Sequence, residues 1–306
     1  MSGIRPVTAM PSVPLQPRRP GNHFWQRALR HRSFVVGSLL TLLMISAALL
    51  SLVWTPWPAY EIDMAHKLNP PSALHWLGTD MLGRDIVSLL LVGARSSIAV
   101  GIIAVGIGLS FGASLGLVAA ARRGWVEEVI MRLSDFTFAF PALLSAIMLA
   151  AVAGPGMVTS ITAIGIFQIP TFVRITRGSA NAIWAREFVL AARASGKGKF
   201  RITLEHVLPN ILSILIVQAT IQFALAILAE AALSYLGLGT QPPQPSWGRD
   251  MSEARRFLGD APWMFMAPTG TIMLCVLSIN FLGDGLRDAM DPRSWRTRLT
   301  VREQES

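Results

Sequence analysis

The chain has 306 residues, 52% of them hydrophobic and only 15% charged, with a net charge of +9 and a single cysteine. A water-soluble domain carries about 25% charged residues, so this composition excludes an ordinary soluble enzyme or binding module. The lone Cys275 excludes an internal disulfide and, inside an apolar run, reads as an inert packing residue.

Residues 1–33 are basic and rich in proline (Pro6, Pro11, Pro14, Pro17, Pro20), a composition that predicts disorder up to about Gly21. The first apolar run, Phe34–Trp54, is 21 residues without a charge, enough to cross about 30 Å of hydrocarbon as a helix. A polar tail precedes it and no small-x-small cleavage site follows, so it reads as a retained anchor rather than a signal peptide. Five more runs follow: Ser96–Ala121, Phe136–Ala153, Met157–Val173, Val207–Leu236 and Pro262–Gly283. Gly154-Pro155-Gly156 makes the third and fourth an antiparallel hairpin. The expectation is an all-α integral membrane protein with six transmembrane helices. Its segments are a cytoplasmic tail (1–33), a first helix with an outer segment (34–95), a main transmembrane domain (96–286) containing a polar loop (174–206), and a C-terminal tail (287–306).

Lys and Arg give the orientation. With the N-terminus inside, residues 1–33, 122–135, 174–206 and 284–306 hold 6, 3, 7 and 5 of them, 21 of the 27 in the chain. Cytoplasmic loops carry such an excess, so the +9 charge is a topology signal and calls for no nucleic-acid partner. It places both termini in the cytoplasm.

Little speaks for catalysis. Gly-x-x-x-x-Gly-Lys-Ser/Thr is missing, and Gly196-Lys197-Gly198-Lys199 lacks its upstream glycine and hydroxyl. The five histidines show no helical pair at metal-ligand spacing, and no nucleophile elbow occurs. No metal site and no cofactor are expected on this chain.

The loop at 174–206 is more informative. Phe188, Ala191, Ala192 and Ser195 fall at i, i+3, i+4 and i+7, a stripe of mostly small residues on one face of a short helix. Gly196 and Gly198 break that helix, and Phe200–His206 starts another that leads into Pro209. Two readings fit: a rigid helix pair that transmits force, or an amphipathic loop lying on anionic headgroups. In the second span Gly108, Gly112 and Gly116 share one face and prepare a backbone-to-backbone contact, within the subunit or with another. The intramembrane polar residues Gln168, Gln218, Gln222 and Asn280 either line a solute path or hydrogen-bond between helices, and Glu230, near the outer end, either lines the path or hydrogen-bonds the outer loop.

The loop resembles the coupling loop of importer permeases, in which Glu-Ala-Ala is followed by a spaced Gly and a terminal Leu-Pro. Leu190-Ala191-Ala192, Gly196 and Leu208-Pro209 keep that spacing. Leu190 replaces the usual Glu, and Glu187 lies on an adjacent face. The resemblance continues through His75-Trp76-Leu77-Gly78-Thr79-Asp80, Met131-Arg132-Leu133-Ser134-Asp135, Ala232-Leu233-Ser234-Tyr235-Leu236-Gly237 and Asn280-Phe281-Leu282-Gly283-Asp284-Gly285. In that order these segments are similar to the C-type permease of dipeptide, oligopeptide and nickel ABC importers. Arg249-Asp250 stands where such permeases more often have uncharged residues.

This resemblance implies the type I importer fold and a heterodimer with a second permease. It also implies two cytoplasmic ATPases holding ATP and Mg, and a periplasmic or lipid-anchored solute-binding protein. Peptides are the expected solute, with nickel or glutathione as alternatives. The competing class is an ion-driven carrier. Such carriers usually place several ionisable groups at mid-membrane, whereas this chain has Glu230 alone, off-centre.

Overall fold

The structure, a computed structural model, describes residues 28–29 and 31–290. The tail expected to be disordered up to Gly21, and the C-terminal tail beyond Met290, lie outside these residues.

Every regular element among the described residues is helical. α1, Arg32–Leu50, carries neither proline nor charge after its first residue and lies along the last helix, where Phe34 packs with Leu282, Leu286 and Ala289. α2, Ile86–Arg122, begins ahead of the expected Ser96 because Asp85 caps it, accepting from the Ser88 amide at 2.8 Å and hydroxyl at 2.9 Å. Arg95 is tolerated inside the helix because its Nε donates to Ser51 Oγ at 2.6 Å. At 37 residues, or about 55 Å, α2 is longer than the hydrocarbon core is thick.

The third span corrects the expectation of one straight helix over Phe136–Ala153. Two helices, α3 (Trp125–Ala139) and α4 (Ala142–Ala153), meet at 83°. Pro141 forces Phe140 out of helical geometry (φ −97°, ψ 132°), as a residue before proline prefers. α3 is amphipathic and tied to its neighbour by Glu127–Arg177 and Asp135–Arg174 ion pairs. Five helices are thus long and apolar enough to cross a bilayer by length and composition, and the bent pair makes up a sixth crossing when counted as one.

α5, Met157–Trp184, runs well past the expected end at Val173, so the polar loop expected from residue 174 begins inside a helix. α6 (Glu187–Ala194) follows, then α7, a continuous helix over Lys199–Tyr235 containing one π turn at Thr203–Val207. α8, Trp247–Ala254, is short and precedes α9, Trp263–Met290.

Two cores hold the bundle. One joins α2, α5 and α7 through Val100, Phe172, Ile211 and Leu215 and continues into α6. The other joins α1, α2, α7, α8 and α9 around Leu90, Ile227, Trp247 and the buried, free Cys275. The α5–α7 connection forms an elbow at one end of the bundle, and α8 forms a clasp at the other.

Candidate functional site

The elbow is built by backbone chemistry that the sequence dictates. α6 carries Glu187 in its first turn and Arg193 in its last, each of the sign that the helix dipole favours. It ends in a Schellman closure: the Gly196 amide donates to Arg193 O at 3.0 Å and the Lys197 amide to Ala192 O at 3.1 Å. This requires the left-handed φ of +82° at Gly196, where a side chain is strained. The π turn then precedes Pro209. Proline has no N–H to return to Glu205, and the ladder is re-closed by the Leu208 amide donating to Thr203 O, five residues back.

The elbow has a buried keel and an exposed face. Val189, Ile202 and Val207 are fully buried, with Trp184 beneath them and Ala192 and Leu208 packed alongside. Phe188 (47% exposed), Leu190 (51%) and Phe200 (78%) face outward with Leu204. Ala191, Ser195 and Gly196 are exposed too. Glu205 straps the turn down, accepting from Lys197 Nζ at 2.7 Å and from Arg201. Glu187 forms no ion pair with another described residue. Of the stripe read from the sequence, Phe188, Ala191 and Ser195 face outward while Ala192 packs against the keel, which sequence reasoning missed. Val189 is one position, hence about 100°, away from that stripe, and its signal was a β-branched residue between two exposed apolar ones.

The glycine face of α2 meets α5 of the same chain. A Cβ at Gly112 would lie 2.5 Å from Phe172 Cβ and 2.6 Å from Ile169 O, and Gly108 and Gly116 face Gln168 and Thr176 in the same way.

The polar residues of the spans separate. Gln168 and Gln222 are buried, and Gln168 Nε2 donates to Gln222 O at 3.2 Å. Glu230 is fully buried, accepting from Ser97 Oγ at 3.0 Å, Ser234 Oγ at 2.7 Å and Thr240 Oγ1 at 3.5 Å. It ties α2 and α7 to the segment that leads into α8. Gln218 is half-buried, and Asn280 is exposed on α9. Among the described residues no three metal-ligating side chains come together.

A prediction follows from the Glu230 network. Serine and threonine hydroxyls can accept as well as donate, so Glu230→Gln should keep transport within about threefold. Glu230→Leu strands those hydroxyls at about 1–3 kcal/mol each and should lower the thermal midpoint of the detergent-solubilised protein. Equal midpoints for the two variants would refute the anchoring role.

Apolar spans long enough to cross a bilayer, with a stiff, outward-facing elbow at one end, give the architecture of a polytopic membrane subunit. Residues 112–296 match the family described as "Binding-protein-dependent transport system inner membrane component". The glutathione transport system permease protein GsiD of Pectobacterium atrosepticum is 41% identical over 277 residues, covering 90% of this chain and 92% of that protein. The dipeptide transport system permease protein DppC of Alkalihalophilus pseudofirmus is 40% identical over 274 residues, 90% of each. A chain of the MetNI methionine ABC transporter, solved in inward-facing conformations, shares the fold with a TM-score of 0.56 at 17% identity, covering 66% of this chain and 97% of that one. The chain belongs to the family of binding-protein-dependent transport inner membrane components, and it is a permease subunit of an ABC importer.

Proposed function

We propose that this subunit forms half of a peptide translocation path and is driven through its elbow by ATPases that it does not itself contain. The observation that carries the reading is the exposed apolar face of Phe188, Leu190, Phe200 and Leu204, mounted on a buried keel continuous with α5 and α7. An apolar face at the wet end of a membrane protein calls for a protein partner. On this reading two cytoplasmic ATPases grip Ala191, Ala192, Ser195, Gly196 and their aromatic neighbours, and Leu208-Pro209 passes the movement into α7. ATP and Mg belong to those partners and this chain is non-catalytic.

The basic excess supports placing the elbow end and both termini in the cytoplasm. The clasp end then faces a periplasmic or lipid-anchored binding protein, and a second, related permease supplies the other half of the path. Of the five path candidates, only Asn280 and Gln218 are not buried within this chain and so can face that half. An exposed amide within an apolar helix is costly against lipid, so Asn280 faces the path or the second permease. Glutathione is itself a tripeptide, so the two named relatives agree on small peptides as the solute class; they support peptides over nickel.

The test is purification of the tagged chain from its native membrane in mild detergent, with mass spectrometry of what stays bound. Recovery of a second permease and ATPases is the expected result. A chain that purifies alone and moves solute in ATP-free vesicles under an ion gradient would make it a carrier.

A further inference from the structure

One carboxylate at the clasp end is not used by the elbow or by any ion pair among the described residues. Asp250 sits in the first turn of α8. The residue is half-buried, but its Oδ2 is shut off from solvent and has no hydrogen-bond partner among the described residues. The charges around it are committed to one another. From the segment before α2, Arg84 donates through Nε to Asp80 at 2.6 Å and through Nη2 to Glu253 at 3.4 Å. On α8 itself, Arg249 Nε donates to Glu253 at 2.8 Å. α2 and α9 contribute only apolar walls, Ile86, Leu89, Leu90, Met264 and Pro268. On its other side Asp250 borders a surface cavity of about 300 Å³ that Tyr60, Arg249 and Glu253 also line, which gives a proton its route to solvent.

Three carboxylates (Asp80, Asp250, Glu253) therefore face two guanidiniums (Arg84, Arg249), and an ionised Asp250 is the unmatched charge. A carboxylate oxygen enclosed without a donor is costly when charged, so the group holds a proton more readily. Burial, reinforced by the nearby Glu253 charge, pushes the Asp250 carboxyl up to about 8.

We propose that Asp250 is a single-proton site that holds the clasp shut. With the proton bound, α8 seats against α2, α7 and α9, and Trp247 Nε1 donates to Leu90 O at 3.0 Å. When the proton leaves, the unmatched charge drives α8 from that seat. Because Asp250 is protonated in the seated state and ionised in the open one, opening releases a proton. The opening constant therefore rises with pH, at most about tenfold per unit, from the ordinary carboxylate range up to about pH 8, and is level above it. The site belongs to this chain alone and does not rest on the importer reading. In an importer it would make separation of α2, α7 and α9 at this end proton-dependent.

Hydrogen exchange of Trp247–Ala254 in the purified full chain reads clasp opening directly. The expected result compares wild type with Asp250→Asn: the ratio of their α8 exchange rates rises at least tenfold between pH 6 and pH 8. Asp260→Asn, which removes an exposed acid near the same end, leaves the rates at the wild-type level. A ratio constant within twofold across that range would overturn the proposal. Should Asp250→Asn not accumulate, Asp250→Ala serves in its place. The wild type also tests the idea alone: α8 amides should accelerate with pH more steeply than the exposed amides of the 51–85 segment, and parallel slopes would overturn it. Loss of ATPase partners would not change any of these readings.

Discussion

Gly112→Val should leave little folded protein in the membrane. A Cβ at that position meets the Ile169 carbonyl oxygen at 2.6 Å and the Phe172 Cβ at 2.5 Å. Neither can yield, because one is backbone and the other belongs to a fully buried side chain. Overpacking a core costs about 1–3 kcal/mol where side chains can adjust, and more where they cannot. Relief would have to come from moving α2 away from α5, which also separates Gly108 and Gly116 from Gln168 and Thr176. Gly106→Val on the same helix is the control, since nothing lies within 4 Å of that position. Detergent size-exclusion of fluorescently tagged variants measures both. A monodisperse Gly112→Val peak of wild-type height would show that the helices do not approach as described.

Phe200→Glu should have the opposite profile: normal insertion and folding with transport abolished. Phe200 is 78% exposed and supports no core contact, so the folded chain loses nothing by the change. If the elbow is the ATPase contact proposed above, the same substitution removes a large apolar anchor there and leaves a charge to be desolvated. Interface anchors are worth about 2–4 kcal/mol, so ATPase affinity should fall roughly 30- to 700-fold. Gly196→Asp acts through the backbone instead: the left-handed φ strains any side chain, and the turn that positions α6 opens. Co-purification of ATPase with each variant, beside solute uptake, measures both effects. Wild-type uptake by Phe200→Glu would remove the elbow from the mechanism.

Much of this architecture is legible in the residues. Uncharged runs locate the spans, and the four-residue glycine period of α2 announces a close helix contact. The early start of α2 was also written there, as Asp85 followed three residues later by Ser88, but Arg95 obscured it. Arg95 is accommodated by Ser51, a partner far away in sequence that periodicity cannot supply. The bend at Phe140-Pro141 had a local signal in the proline, overridden by the continuity of the apolar run. Glu230 was visible as a rare carboxylate in a span. A bond to the outer loop was one of its two readings, and Thr240 supplies it, but the donor Ser97 comes from another helix far away in sequence, which only the fold brings near. Asp250 is similar: the residues show a charge pair, and the packing shows that one oxygen is left without a donor.

The bend between α3 and α4 also bears on how the chain is made. α4 has 12 residues, about 18 Å of helix, against a hydrocarbon thickness of about 30 Å. A segment that short cannot settle in the bilayer by itself as it leaves the ribosome. Only Ala146 and Ala150 bury against the rest of the bundle, while Leu144, Met148 and Val152 stay exposed, and α5 is the helix that α4 packs on most closely. The expected consequence is insertion in a hairpin unit, α4 entering together with α5 around the Gly154–Gly156 turn rather than alone.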